Sequence, residues 1–372
     1  MDKKNKVFAV LIAVILISVT LIVAFNTPAP SLSAESKNWL SGWSYRKSHT
    51  IAGSPGAGTD YQIKITAHFK PGTDSGSDVY LMSSCQKGFT DVRFTEGDGV
   101  TLLNYWIETK TDGDSAVFWV KISGNLDTDQ TIFIYYGNKT VASASNMDKT
   151  FPFADDFSST TLDPAKWRTF GSGNVVETGT NITLSTNPVE RGWIYIMGKT
   201  LLDTNYAIRF RSLVIEQGVD RWTHHGLATI YNSSNSGGRI DEYPNYITMS
   251  QESCFYAWTL RTRVYSETTR VDISNNQPEK LVFYTYEIQR NGSTNVIFNC
   301  NDQYQGSIDK VSTEKMGAMF GADSAGSPLY SVTVIDWVFM HKYVANEPVQ
   351  GVWGAEESAP GGTLFDVIVK NI

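Results

Sequence analysis

Three cysteines, Cys85, Cys254 and Cys300, are all that the 372 residues contain. An odd number cannot pair completely, so at least one thiol stays free even in an oxidising compartment. Their spacings match no zinc-binding pattern. Positive charge is short as well: 31 Lys and Arg stand against 38 Asp and Glu, for a net charge of −7. That balance argues against a basic track for phosphates and so against nucleic acid as a partner. No block of like charges forms an interaction tail. Between Trp39 and Gly354 no helical period of useful length occurs. Phosphate loops, nucleophile motifs and paired metal-binding histidines are missing too. His224 and His225 are adjacent, so on a strand they point to opposite faces and cannot share a metal.

What is present points to β structure. Aromatics make up 12% of the chain and there are 30 glycines, which suits a β-rich globular protein long enough for two domains. The one long apolar run, Val7 to Phe25, follows Lys3, Lys4 and Lys6. At about 1.5 Å per residue it is long enough to cross a ~30 Å hydrocarbon core as a signal anchor. A cleaved signal peptide is the alternative, with Leu32-Ser33-Ala34 as a small-residue cleavage site. Either reading keeps the lysines inside and places everything after residue 25 outside the cell, anchored through residues 7–25 or secreted. Residues 26–38, with Pro28 and Pro30, read as a spacer.

From Asp91 to Asn138, short aromatic and β-branched runs alternate with Gly-, Asp- and Asn-rich turns, the pattern of consecutive antiparallel hairpins. With WLSGWSYRKSHTI and TDYQIKITAHF before them, they give six or seven strands over residues 39–142, the size of a β-sandwich. In TDYQIKITAHF, Tyr61, Ile63 and Ile65 alternate with Gln62, Lys64 and Thr66, a half-buried strand. A second module spans residues 150–357 with nine to twelve strand signals, too many for an immunoglobulin-like sandwich and better suited to a larger jelly roll. Asn291-Gly292 marks a tight hairpin within it. Residues 358–372 read as a linker and a C-terminal stub. Cys254 and Cys300 share the second module and could pair, or all three cysteines could be buried thiols. Sequons at Asn138, Asn181, Asn232 and Asn291 fall at turn-like positions, as glycosylation sites would.

The segments WSYRKSHTI, DVYLMSSC, FTDVRFTEGDG, LLNYWIE, FWVKI and IFIYYGN, in that order, resemble a prokaryotic, often archaeal, surface-protein family known as domain-of-unknown-function family 2341. That resemblance brings neither catalytic residues nor a ligand. From FADDF…LDPAKW to IDWVFMHKYV…GVWGAEE, the second module resembles the concanavalin A-like lectin/glucanase superfamily in its laminin-G-like branch. This implies a jelly roll, carbohydrate binding and often a structural calcium. First and last strands of such a roll are commonly neighbours, so Asp155, Asp156 and Asp336 are candidate calcium ligands. The alternative is that Asp156 and Asp163 cap turns. Glucanases of the superfamily usually carry alternating acidic residues on one strand, in Glu-x-Asp-x-Glu or Glu-x-Asp-x-x-Glu spacing; this sequence has neither. Glu216 with Asp220, and Asp241 with Glu242, are the nearest acidic pairs, and they sit in turn-like segments.

Strand parity supplies the candidate binding residues. In YAIRFRSLV, Arg209 and Arg211 oppose Ile208 and Phe210. In CFYAWTLRTRVY, read as one strand, Arg261, Arg263 and Tyr265 oppose Tyr256, Trp258 and Leu260. Guanidinium forks on a concave sheet could meet glycan hydroxyls or acids, or they could simply pair with carboxylates on a solvated face. Trp222 and Tyr231, near His225, are candidate platforms for sugar rings. These residues lead to an all-β protein of two tandem sandwiches that binds an extracellular glycan without catalysis. A structural envelope protein contacting other proteins is the alternative, and a glycoside hydrolase or lyase the third reading.

Overall fold

The structure, a computed structural model, describes residues 38–360 except 188–191, 217–220, 230–245, 255–256, 260–261, 267–268, 274–278, 280, 310–311 and 325–330. Side chains at 216, 221–222, 246 and 248–273 are outside the description. So is the expected membrane segment 7–25. Among the described residues no helix is long and apolar enough to cross a membrane.

The fold is all-β. The first module contributes β1 (Tyr45–Ala52), β2 (Tyr61–His68), β3 (Asp78–Tyr80), β4 (Arg93–Glu96), β5 (Leu102–Leu103), β6 (Tyr105–Thr111), β7 (Ser115–Ile122) and β8 (Gln130–Tyr136). One helical turn, α1 (Met147–Thr150), is capped by the Asn146 side chain accepting from the Lys149 N–H. Then come β9 (Phe153–Asp155), β10 (Trp167–Gly171), β11 (Asn174–Glu177), β12 (Ile182–Ser185), β13 (Gly192–Gly198), β14 (Tyr206–Glu216), β15 (Arg221–Ala228) and β16 (Tyr246–Cys254). They are followed by β17 (Ala257–Thr259), β18 (Thr262–Ser266), β19 (Thr269–Ile273), β20 (Tyr284–Asn291), β21 (Asn295–Cys300), β22 (Gln303–Ile308), β23 (Gly317–Ser324) and β24 (Val332–Lys342). The chain closes with β25 (Val349–Trp353) and β26 (Glu357–Ser358).

The first sandwich pairs a sheet ordered β25-β1-β8-β4-β5, with β26 added on β1, against a sheet ordered β3-β2-β7-β6. The hairpins of residues 91–138 therefore do not form one ribbon. β4–β5 lies in one sheet, β6–β7 in the other, and β8 returns to pair with β1 and β4. Alternation explains why: Ile63 and Ile65 on β2, Phe118 and Val120 on β7, and Ile132 and Ile134 on β8 all bury between the two sheets. At the β6–β7 turn Gly113 takes φ +73°, which glycine adopts without a Cβ penalty.

The second sandwich sets a six-stranded sheet, β10-β13-β23-β15-β16-β17, on an eight-stranded one, β11-β12-β24-β14-β20-β21-β22 with β9 on β24. Phe210, Ile288 and Phe298 of the larger sheet meet Ile194, Leu227 and Phe320 of the smaller in one core. The expected boundary at residue 357 is wrong in one respect. β25 and β26 return to the first sandwich, where Trp353 stacks on His49 at 3.8 Å and its indole N–H donates to Gly76. Arg46, buried on β1, donates to Glu357 at 2.9–3.0 Å and so fastens β26. The second sandwich is thus an insertion between β8 and β25 of the first.

Two faces that sequence parity leaves open turn towards each other. On β7 and β6, Trp119 and Trp106 point away from their own core; on β24, Trp337 and Phe339 do the same. With Phe151 and Met147 these rings form a separate apolar cluster between the four-stranded and eight-stranded sheets. Phe339 is fully buried and stacks on Phe151 at 4.0 Å. Truncating Phe339→Ala in this seam should cost about 3–5 kcal/mol of stability, read as a lower urea midpoint with the native strand signature retained; an unchanged midpoint would mean that the seam is not packed.

Candidate functional site

Arg209 and Arg211 do lie opposite Ile208 and Phe210, as alternation requires. Their face, however, is the seam and not an open concave surface. Arg209 is 3% exposed and holds three carboxylates: Glu108 of the first sandwich at 2.9 Å, Glu287 at 2.8 Å and Asp302 at 2.7 Å. Burial works against the charge of Arg209, but Glu287, Glu108 and Asp302 outweigh it and hold the pKa up. Burial would likewise raise the Glu287 carboxyl, yet His341, Arg209 and the Gln289 amide keep it well below the usual carboxylate range. Lys64 adds a 3.4 Å contact to Asp302. Arg211 pairs with Asp336 across a bulge in the β14–β24 ladder and lies over the Phe283 ring.

Next to this cluster the seam opens into a cleft of about 450 Å³. Tyr61, Gln62, Lys64 and Trp119 come from the first sandwich, Glu287, Gln289, Asn299, Asp302 and His341 from the second, and Glu347, Pro348 and Gln350 from the returning chain. The expected residues missed Glu108, Trp119, Glu287, Asp302 and His341. One signal was available: β7 and β24 carry apolar residues at both parities, the mark of a strand covered on both faces.

The outer face of the six-stranded sheet carries a different set. Trp193, Tyr195 and Met197 of β13 face outward, since Ile194 and Ile196 fill the core. Across the ladder Tyr195 stands opposite Phe170 and Gly321, and Gly321 stands opposite His224. The Tyr195 ring lies flat over Gly321; a Cβ there would sit 1.9 Å from it. Trp193 and Tyr195 are 6.0 Å apart between ring centroids, and Tyr195 and His224 6.1 Å. In the adjacent row Asp323 pairs with Trp193 on one side and with the backbone of Trp222 on the other. Phe170, Trp193 and Met197 remain partly exposed.

His225 is not part of this face. It points into the core between Ser212, 3.2 Å from Nδ1, and Thr333, 3.1 Å from Nε2. Tyr231, Arg261 and Asn232 lie outside the described residues, and the side chains of Trp222, Arg263, Tyr265 and Cys254 are undescribed. The segment taken as one strand is broken: Cys254 ends β16, where it pairs with Ala257 of β17, and Arg263 and Tyr265 belong to β18. The face shared by Arg261, Arg263 and Tyr265 with respect to Trp258 therefore cannot be read from simple alternation. Cys300 carries a free, buried thiol, on β21 of the eight-stranded sheet, whereas Cys254 sits on the six-stranded one. Burial pushes the Cys300 and Cys85 thiols up to about 11 and 12, which makes them packing residues.

The calcium expectation does not fit. The Asp155 oxygens accept from the Phe157 N–H and the Trp167 indole, Asp156 accepts from the Ser158 N–H in a turn, and Asp336 is held by Arg211. Asp163 caps a turn by accepting from the Ala165 N–H. Among the described residues no group of three or more His, Cys, Asp or Glu could hold a metal ion. Asn138, Asn181 and Asn291 are half-buried at strand ends and turns. Asn291 opens the β20–β21 turn, where Gly292 takes φ +56°.

Residues 88–170 match the model of a family described as a domain of unknown function (DUF2341). The match starts later than the 39–142 expected and runs through α1 into β10. No curated protein matches the chain. Solved structures that the chain is similar to include the catalytic domain of an endo-1,3-β-glucanase (laminarinase) from Thermotoga petrophila RKU-1, at 12% identity over 53% of this chain and 98% of that one, TM-score 0.41. Others are LamAcat from Zobellia galactanivorans (10%, 52% and 97%, TM-score 0.41) and a glycoside hydrolase family protein from Mycobacterium thermorestibile (12%, 50% and 99%, TM-score 0.37). These likenesses are distant, and the activities named belong to those proteins.

His225 has a consequence for acid stability. Burial lowers its pKa to about 3, so the folded protein holds it neutral while the unfolded chain titrates near 6.5. Its contribution is complete above that unfolded value and is lost as pH falls from about 6.5 towards 3. Between pH 6.5 and 4 wild type should lose on the order of 3 kcal/mol through this group, at about 1.4 kcal/mol per pH unit. Urea midpoints across that range should fall less steeply for His225→Gln; parallel slopes would contradict the assignment.

Proposed function

We propose that the protein recognises carbohydrate without catalysis, through the outer face of its six-stranded sheet. One observation carries this: the partly exposed rings of Phe170 and Trp193 flank Tyr195, laid flat over Gly321. Aromatic faces of this kind offer apolar area to the C–H faces of sugar rings, while His224 and Asp323 in the neighbouring rows are buried beneath them. The seam covers the opposite side of the larger sheet, whereas Phe170, Trp193 and Met197 on this face stay partly exposed. A cell-surface position, with residues 7–25 as the membrane anchor or a cleaved leader, goes with the reading; so does a prokaryotic, archaeal source.

The second reading, a structural envelope protein, draws on the edge strand β25, where Val349 and Val352 are 65% and 76% exposed. An exposed, apolar strand edge invites another chain. A glycan array probed with the full chain separates the two. Binding to a defined glycan class that weakens about tenfold or more in Trp193→Ala, with an unchanged melting temperature, supports recognition at this face. A blank array with self-association on sizing supports the envelope reading. Release of reducing ends from a polysaccharide panel would overturn the non-catalytic assignment.

A further inference from the structure

The seam cleft contains an imperfectly matched group. His341, 2% exposed, has its Nδ1 2.9 Å from the Lys342 carbonyl, which can only accept, so Nδ1 carries the proton. A charged ring would point Nε2–H at Glu287 and help hold that carboxyl down, whereas in the neutral ring Nε2 is a bare acceptor. It has no hydrogen-bond partner, and the Glu287 carboxylate beside it, at 3.6 Å, is an acceptor too. Two buried acceptors facing each other leave room for a donor from outside, since an unsatisfied buried polar atom is unfavourable.

The charges point the same way. Around the cleft the carboxylates Glu108, Glu287, Asp302 and Glu347 outnumber the cations Arg209 and Lys64 by two. Glu347 stands exposed at the rim and uses one oxygen on the Tyr61 hydroxyl, 3.1 Å away. Amide groups of Gln289, Asn299 and Gln350 also face the space, and Trp119 provides an apolar wall. The volume, about 450 Å³, falls in the range of small-molecule sites, roughly 300–1,000 Å³.

We propose that this cleft is a second binding site that takes a protonated amino sugar. Its ammonium sits among Glu287, Asp302 and Glu347 and donates to the His341 Nε2; its hydroxyls meet the surrounding amides. Ammonium has three donors and no acceptor, the complement of an acceptor-rich, net-acidic lining. Amides that both donate and accept suit hydroxyls, which is why the carrier is a sugar and not a bare amine. Because the cleft opens between the sandwiches while the aromatic face lies on the far sheet, this site stands or falls separately from the function proposed above.

Calorimetric titration of the full chain with a glucosamine disaccharide, its N,N′-diacetyl form and Nα-acetyl-lysine amide tests it. The free-amine disaccharide should bind, and the diacetyl form and the lysine amide at least tenfold more weakly. Glu347→Gln, an exposed substitution, and Asp302→Asn should each weaken binding several-fold, while Trp193→Ala leaves it unchanged. No binding, equal binding of the acetylated sugar, equal binding of the lysine amide, or loss of binding in Trp193→Ala would each overturn the proposal.

Discussion

A single buried guanidinium joins the two sandwiches. Arg209 on β14 reaches Glu108 on β6 across the seam while also holding Glu287 and Asp302 of its own module. Taking such a group out of water costs several kcal/mol per ion, so it is tolerable only where the carboxylates are already fixed. The aromatic cluster of Trp106, Trp119, Trp337 and Phe339 beside it supplies the apolar burial that closes the seam. Apolar packing drives the association; the ion cluster fixes its register, since a slip of one residue would turn Arg209 into the core and Phe210 out of it.

The returning C-terminus ties the same arrangement from the other side. Because β25 and β26 complete the first sandwich, the first module depends on residues that follow the second in sequence. Trp353 against His49 and Glu357 against Arg46 are contacts between positions roughly three hundred residues apart. The inserted sandwich is therefore held at both its ends, and the cleft between the modules is walled by residues from three separate stretches of chain.

Much of the local structure was legible. Period-two alternation placed Ile63, Ile65, Ile208 and Phe210 inward and Arg209 and Arg211 outward, and Asn291-Gly292 gave its turn. What alternation cannot tell is what covers an outward face. Arg209 reads equally well as a solvated residue, a glycan contact or an interfacial ion, and only tertiary packing decides. His225 shows the same limit: adjacent to His224 and indistinguishable by type, it differs by parity alone, one ring in the core between the sheets and the other buried on the opposite face of β15. The aspartates show a related limit, since Asp155 accepts from a backbone N–H and the Trp167 indole, Asp156 from the Ser158 N–H, and Asp336 is held by Arg211. The reading of residues 254–265 as one strand failed at Cys254, where β16 ends opposite Ala257.

A packed seam makes the two sandwiches one cooperative unit. Differential scanning calorimetry of the full chain tests it most directly. One transition is expected, with calorimetric and van't Hoff enthalpies in agreement, as for a two-state unit. Two separate transitions would contradict it, because each sandwich would then unfold without reference to Arg209 and the rings beside it.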